Sequence, residues 1–400
     1  MERTSAIPAS LALVAIVALS GCTGWGIATP SSTSDSTARA TPAASASPTT
    51  PADLQAILDH RRETYGAPGA IVAMDVGDER SILVSGDADD AGTPLKPADR
   101  FRIASITKPI VAALVLDAVA KEELSLDDVV ATHLPGLVRA EPPITIRQVL
   151  DHTSGVFDEG NEGDLVADID RLKDPLKREA RDVLKRWTAG ERVIAPDRVL
   201  VALAETHERY SQPGLEYHYS NPNYQIAAMI LEKVTGRSLA DLLESRIAKP
   251  LGLDRTTVAP PDTSSPEMRG YERNPDGALR DMTDDLVAFG NGGNGGIIST
   301  PDELLTVMQA IVSGRFLPKD LVTEMKTPTI GSYGLGLASY DFTCGKFYGH
   351  EGLLNGTRSV AVVNDDGSAG VVIALNLHTD NEPGLPMVAE RMICPSLKGG

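Results

Sequence analysis

The chain has 400 residues, of which 42% are hydrophobic, and its formal net charge at pH 7 is −18. A chain of this size can bury a large core in one big domain or in two. A strongly acidic chain without a basic cluster argues against a nucleic-acid partner. After the N-terminal segment, no stretch of the sequence is long and apolar enough to span a bilayer.

The N-terminus has the pattern of an export signal. Arg3 gives a short positive region, residues 11–19 are continuously apolar, and Ser20 and Gly21 precede Cys22. Small residues at the end of an apolar run predict a signal peptide over residues 1–21. The cysteine that follows resembles a bacterial lipoprotein signal, in which Cys22 would be lipidated. A plain signal peptide with a chance cysteine is the alternative. We therefore expect an extracytoplasmic protein that is lipid-anchored to the cell membrane, with more than one acyl chain for stable anchoring.

Residues 22–51 consist mainly of Ser, Thr, Ala and Pro and contain almost no bulky apolar side chains. Such a segment cannot bury enough surface to fold, so it predicts a disordered tether. Residues 52–396 are predicted to form one folded domain, with a helical insertion at about 156–285.

The folded part begins and ends with strand patterns and is helical between them. Helical patterns cover residues 53–65, 106–121, 171–187, 199–210, 224–235, 239–247 and 388–392, and a capping box predicts another helix from Thr300. Strand patterns cover residues 70–76, 81–85, 333–339, 345–348, 358–363 and 370–376, with hairpin turns at 77–78 and 365–367. These patterns predict an α+β fold: an antiparallel sheet built from both termini, flanked by helices, with a mostly helical region inserted. Reactive groups are expected in the groove between the two.

The first chemical motif is Ser105-x-x-Lys108, at the start of a helical pattern. Residues i and i+3 of a helix are neighbours on one face, so hydroxyl and amine can meet. A serine hydroxyl becomes a useful nucleophile when a nearby base takes its proton. By itself the motif is better explained by an ordinary helix N-terminus with a surface lysine.

Two further motifs follow, each occurring once. Tyr219-x-Asn221 precedes a helical pattern and is placed on a loop, where a phenol could relay protons and an amide could bind a carbonyl. His350-x-Gly352 ends a strand pattern, where glycine permits close approach to a strand edge. The alternatives are a tyrosine packed under a turn and a structural histidine.

The three motifs in this order resemble the penicillin-recognising serine hydrolases. The likeness is closest to the group that holds class C β-lactamases, secreted serine DD-carboxypeptidases and related esterases, and it extends over about residues 52–394. Residues 101–105, 134–136, 146–150, 152–155, 219–236 and 250–253 add to it. The resemblance implies a β-lactamase/transpeptidase-like fold.

The resemblance also implies catalytic roles. Ser105 would attack a carbonyl and form an acyl-enzyme, while Lys108 and Tyr219 would shuttle protons. The backbone N–H groups of Ser105 and Leu353 would form the oxyanion hole, each donor contributing on the order of 3 kcal/mol.

Substrate binding is implied for Asn221, which would contact the substrate amide, and for His350 and Gly352 in the third motif. Histidine there replaces the commoner lysine. Glu351 departs from the Thr or Ser that the peptidases carry beside the substrate's terminal carboxylate. Two carboxylates repel by about 1 kcal/mol in water. Either Glu351 turns away, or Arg358 pairs with it, or the substrate has no free carboxylate.

The remaining candidates are structural. Cys344 and Cys394 are an even pair in an exported chain and predict a disulfide, with two free thiols as the alternative. His152 and His218 are interpreted as structural, and the glycine-rich residues 291–296 as a wall beside the site. No spacing predicts a metal site, and no cofactor is expected.

The sequence therefore predicts a serine acyl hydrolase, with a D-alanyl-D-alanine carboxypeptidase acting on peptidoglycan stem peptides as the main hypothesis. An esterase or weak class C-like β-lactamase, acting on small esters or β-lactams, is the alternative enzyme. A non-catalytic peptidoglycan-binding lipoprotein is the alternative from another class.

Overall fold

The computed structural model describes residues 50–77, 79–158, 165–259, 266–284, 292–354, 356–378 and 384–398. The predicted signal peptide, Cys22, most of the predicted tether and Asn291 lie outside these residues. Within the described ranges, no helix is both long enough and apolar enough to cross a membrane. The domain bounds drawn from the sequence stay a prediction.

The core of the fold is a six-stranded antiparallel sheet. The described strands are β1 (Gly69–Val76), β2 (Glu79–Gly86), β3 (Phe101–Arg102), β4 (Thr257–Val258), β5 (Tyr271–Arg273), β6 (Leu279–Asp281), β7 (Ile297–Ser299), β8 (Ala338–Phe342), β9 (Gly345–Leu354), β10 (Thr357–Asn364) and β11 (Ala369–Leu375). The large sheet has the order β2-β1-β11-β10-β9-β8, and its neighbouring strands are antiparallel. Strands from both ends of the chain thus form one sheet.

Helices fill the middle of the chain and both faces of the sheet. The described α-helices are α1 (Pro51–Tyr65), α2 (Thr107–Ala120), α3 (Val130–His133), α4 (Ile146–Leu150), α5 (Leu165–Arg171), α6 (Leu176–Thr188), α7 (Asp197–Ala204), α8 (Asn221–Thr235), α9 (Leu239–Leu243), α10 (Lys249–Leu251), α11 (Pro301–Val312), α12 (Lys319–Lys326) and α13 (Leu385–Lys398). Mixed helices and an antiparallel sheet confirm the predicted fold class.

The sheet separates two hydrophobic cores. Alternation along β10 sends Val360 and Val362 into a core with α1 and α13, and Ala361 and Val363 into the larger core with α2 and α11. Almost every residue of α2 is buried, as expected for a helix that is apolar all round. The N-terminus of α2 is therefore held rigidly, which matters because it carries the first motif.

Some predicted boundaries are wrong. The helix predicted over residues 171–187 falls on two helices, the end of α5 and α6. They are separate because Pro175 has no N–H to donate within a helix interior. The strand predicted over 333–339 begins only at Ala338, since Gly336, at a φ of 85°, turns the chain. The helix predicted over 199–210 ends at Ala204, and α9 passes into a π-helical turn, Glu244–Ala248.

The C-terminal helix is tied to the sheet covalently. Cys344 and Cys394 form a disulfide between the β8–β9 turn and α13, across a sequence separation of 50 residues.

Candidate active site

Ser105 lies in a 3₁₀ turn, Ala104–Ile106, at the entrance to α2. Ala104 has a positive φ of 51°, which is unfavourable for a residue with a side chain and is typical of constrained functional turns. Strand β9 passes close to this turn: a Cβ on Gly352 would lie 2.5 Å from the carbonyl oxygen of Ile103 and 2.3 Å from Ser359 Oγ. From the sequence, Gly352 is expected to let a ligand approach the strand. In the structure, the absence of a side chain there also lets β9 lie close to the backbone that precedes Ser105.

Lys108 lies fully buried beneath Ser105. Its Nζ is 2.9 Å from Ser105 Oγ, 2.9 Å from Asn221 Oδ1 and 3.0 Å from the carbonyl oxygen of Asn294. Burial lowers the pKa of Lys108 to about 7, against an opposing effect of the Asp158 charge. A neutral amine can donate to the two carbonyl oxygens, which only accept, and its lone pair then faces the hydroxyl of Ser105.

Tyr219 approaches Ser105 from the other side. Its hydroxyl donates to Ser105 Oγ at 2.9 Å, and Lys108 Nζ lies 4.7 Å from the centre of its ring. Burial raises the pKa of Tyr219 well above its usual value, so the phenol keeps its proton.

Asn221 opens α8 instead of lying on the preceding loop. Its Oδ1 accepts from Lys108, and its Nδ2 donates to the two carboxylate oxygens of Asp158 at 3.4 and 3.3 Å. Asp158 itself is buried. The amide thus links the base to a buried carboxylate.

His350 is enclosed by protein partners. Its Nδ1 bonds with the carbonyl oxygen of Glu351, which can only accept, so Nδ1 carries the hydrogen. Its Nε2 then accepts from the hydroxyl of Tyr333 at 2.9 Å. Burial, followed by the charge of Lys108, lowers the pKa of His350 to about 3. The imidazole is therefore uncharged at neutral pH.

Glu351 points away from this group. In the antiparallel register it pairs with Val360, which faces the core of α1 and α13, whereas His350 pairs with Ala361 on the opposite face. Burial raises the pKa of Glu351, and the charge of Arg358 opposes that effect. The first of the three possibilities drawn from the sequence thus describes its placement, and Arg358 acts on it through its charge.

Leu353 follows Gly352 on β9, and 42% of its surface is exposed. Its N–H as an oxyanion-hole donor stays a prediction. The two histidines interpreted from the sequence as structural differ in setting. His152 is fully buried with its ring centroid 4.4 Å from that of Tyr219, whereas His218 is partly exposed beside Glu216.

Sequence reasoning missed three groups that contact the site: the Asp158 carboxylate, the Tyr333 hydroxyl and the Asn294 carbonyl. Asn294 belongs to the glycine-rich segment predicted to form a wall, so its neighbourhood was anticipated. A single Asp or Tyr in a loop has no spacing that would reveal it. Among the described residues, no group of three or more His, Cys, Asp and Glu side chains could hold a metal ion.

The site forms one directional hydrogen-bond chain. The phenol of Tyr219 donates to Ser105 Oγ, and the hydroxyl of Ser105 can donate to the lone pair of Lys108. This arrangement supplies a nucleophile, a base and an acid within reach of the same oxygen. It can carry out acyl transfer through a covalent intermediate.

Comparison with known proteins agrees with this chemistry. Residues 54–390 match the family model described as Beta-lactamase. The D-stereospecific amidohydrolase from a Streptomyces species has a similar structure, with a TM-score of 0.65 and 32% identity, over 82% of this chain and 94% of that one. The D-amino acid amidase of Ochrobactrum anthropi SV3, in its complex with L-phenylalanine amide, has a TM-score of 0.68 and 25% identity, over 86% and 96% of the two chains. The D-aminopeptidase of Brucella anthropi is 27% identical over 340 residues, which are 80% of this chain but only 60% of that protein.

Proposed function

Since the chain belongs to the beta-lactamase family and is a serine-type hydrolase, we propose that it hydrolyses amides and short peptides whose acyl group is a D-amino acid with a free amino group. The family assignment confirms the resemblance to the penicillin-recognising serine hydrolases, and the narrower likeness to the class C group stays a prediction. The observation that carries the proposal is the charge around Ser105: an uncharged His350 in the third motif, and a buried carboxylate at Asp158.

The third motif argues against a substrate with a terminal carboxylate. A carboxylate is best bound by a cation or by free donors. The pKa of His350, at about 3, leaves the ring neutral, and both of its nitrogens already have protein partners. The D-alanyl-D-alanine carboxypeptidase expected from the sequence would need another group for this task, so it becomes the alternative to be tested.

Asp158 argues for a substrate with an ammonium group. Its carboxylate lies one amide away from the base, through Asn221. An acyl donor with a free α-amino group would bring a positive charge next to the scissile carbonyl, where a buried carboxylate attracts it strongly. The names of the relatives, an aminopeptidase, an amidohydrolase and an amidase for D-configured substrates, support the same substrate class and suggest the D configuration.

The reaction follows from the hydrogen-bond chain. Neutral Lys108 takes the proton of Ser105 as Oγ attacks the carbonyl carbon, and the oxyanion is held by the N–H groups of Ser105 and Leu353. The C–N bond breaks as Tyr219 protonates the leaving amine, and the Lys108 ammonium returns a proton to the resulting phenolate. Water then gives a proton to Lys108 and attacks the ester, and Ser105 leaves with that proton.

The test compares D-alanine p-nitroanilide, its N-acetylated and L-forms, and diacetyl-L-lysyl-D-alanyl-D-alanine. Each rate at pH 7 is divided by the rate of p-nitrophenyl acetate hydrolysis by the same variant. Both reactions need Lys108 as the base, so a change in the pKa of Lys108 cancels from the ratio. We expect the free D-anilide to be hydrolysed, and N-acetylation and Asp158→Asn each to lower this ratio at least tenfold, about 1.4 kcal/mol. Ser105→Ala serves as the inactive control.

Other outcomes point to the other enzymes. Release of D-alanine from the diacetyl tripeptide, with no turnover of the free D-anilide, supports the carboxypeptidase and contradicts the proposal. Turnover of the ester alone supports an esterase. A stable adduct or fast turnover with benzylpenicillin, followed by mass spectrometry, would support penicillin recognition or β-lactamase activity.

We also propose that Cys22 carries a lipid anchor and that the catalytic domain works outside the cytoplasm. The support is the sequence pattern of residues 1–22. Labelling with an alkyne fatty acid in a bacterial host should modify the parent and spare Cys22→Ser. Equal labelling of both, or of neither, would contradict the anchor.

A further inference from the structure

We infer that His152 is a positioning residue for acyl transfer, because it holds the backbone on both sides of Tyr219. From the sequence alone, this histidine is interpreted as structural. The inference rests on the serine acyl transfer proposed above and not on the amide specificity.

His152 accepts two hydrogen bonds from the backbone that flanks Tyr219. Its carbonyl oxygen accepts from the N–H of His218 at 2.9 Å, and its Nδ1 accepts from the N–H of Ser220 at 3.2 Å. Tyr219 lies between these two residues, and its ring lies against the imidazole with a centroid distance of 4.4 Å. One residue therefore fixes the peptide groups on both sides of the phenol and supports its ring.

The protonation state of the imidazole follows from its donors. Nδ1 also receives Asn223 Nδ2 at 3.1 Å, and the orientation of that amide is fixed because its Oδ1 accepts from Ser154 Oγ at 2.7 Å. Two donors directed at Nδ1 require it to be unprotonated, so the hydrogen is on Nε2. Burial, then the charges of Lys108 and His350, lowers the pKa of His152 well below its usual value. The acceptor is thus present throughout the pH range in which Lys108 titrates.

These hydrogen bonds position the side chains that contact Ser105 and Lys108. Ser220 joins Tyr219 to Asn221, and these two side chains meet Ser105 Oγ and Lys108 Nζ at 2.9 Å each. Without the acceptor, the peptide between the phenol and the amide is free to rotate, and both contacts lengthen together. Misplacement of a catalytic group by about 1 Å can cost on the order of 100-fold in rate.

The backbone of His152 supplies a matched pair of variants. Its φ is +59°, in the left-handed region that glycine and asparagine tolerate best. Both His152→Gly and His152→Asn therefore suit the backbone. Asparagine keeps an acceptor near the position of Nδ1, whereas glycine removes it.

The experiment measures p-nitrophenyl acetate hydrolysis for each variant, per active site titrated with a fluorophosphonate, together with circular dichroism and thermal melting. We expect His152→Gly to lower kcat about 100-fold with KM within threefold, and His152→Asn to restore kcat to within about tenfold of the parent. His218→Asn, which removes a partly exposed imidazole from the same loop, should stay within threefold.

Two results would overturn the inference: a kcat for His152→Gly within threefold of the parent, or equal kcat losses in the glycine and asparagine variants. If His152→Gly does not fold, Asn223→Asp decides. Its carboxylate replaces a donor with an acceptor, draws the hydrogen to Nδ1 and so displaces the Ser220 N–H. A folded Asn223→Asp enzyme should lose at least tenfold in kcat, and parental kcat there would contradict the inference.

Discussion

The pH dependence of Ser105 acylation tests whether Lys108 is the base. With a pKa of about 7, the neutral fraction of Lys108 rises from about a tenth at pH 6 to about nine tenths at pH 8. Acylation should therefore rise about tenfold over this interval and then level off. A lysine with its ordinary pKa of 10.5 would instead give a rate that keeps rising tenfold per unit up to about pH 10.

The environment of Lys108 gives this prediction its control. The Asp158 charge raises the pKa of Lys108, so Asp158→Asn should lower the midpoint by on the order of one unit. Tyr219→Phe should slow acylation but leave the midpoint in place, because the phenol is already neutral. Stopped-flow measurement of the p-nitrophenol burst from pH 5 to 10 reads both effects. A parental midpoint near 10, or one that Asp158→Asn leaves unmoved, would refute the assignment of the base.

Stability supplies a second readout for Lys108. Its folded pKa lies below its ordinary value of 10.5, so between about pH 7 and 10.5 the unfolded chain binds more protons than the folded one. The contribution of Lys108 to the free energy of unfolding should therefore rise with pH across that window. Lys108→Met should remove this rise from urea-unfolding titrations.

Two further predictions concern β9 and the disulfide. Gly352→Ala places a Cβ 2.3 Å from Ser359 Oγ, and should lower the free energy of unfolding by about 1–3 kcal/mol and slow acylation more than tenfold. If the Gly352→Ala variant keeps the parental melting temperature and burst rate, β9 accommodates the added Cβ without cost and the prediction is wrong. Replacing Cys344 and Cys394 with serine opens a loop of 50 residues, and should lower the free energy of unfolding by about 4 kcal/mol. An unchanged urea midpoint under non-reducing conditions would contradict it.

The parts of the site that the sequence predicted are those that local geometry brings together. Ser105 and Lys108 meet because three residues of a helical turn separate them. Tyr219 and Asn221 are two residues apart at the start of α8, so one turn presents both side chains. The hairpin of β1 and β2 follows from two short strand patterns joined by a glycine turn, which are local as well.

The rest of the site depends on contacts between distant segments. Lys108 meets Asn221 across 113 positions and the Asn294 carbonyl across 186. Asp158 and Tyr333 join from two further loops with no spacing to mark them. The pKa directions of Tyr219 and His350 could not be predicted either, because burial is their first cause and burial is a property of the completed fold.

The register of β9 determines which of its side chains faces the substrate, and so which residues set the preferred charge of the substrate. The sequence leaves open whether Glu351 lies beside the substrate's carboxylate or turns away. In the structure, alternation sends it to the other side of the sheet while His350 lies on the face that carries Ser105. The electrostatic question therefore passes to His350, which is neutral, and to Asp158, whose carboxylate lies behind Asn221. Two unit charges at 4 Å interact by about 1 kcal/mol in water and by about 4 kcal/mol at an effective dielectric of 20. Because Asn221 lies between Asp158 and the base, the separation is longer, so an ammonium group gains less than this and a carboxylate at the same place loses as much. The negative charge of Asp158 is therefore the physical reason to expect a substrate with a free amino group.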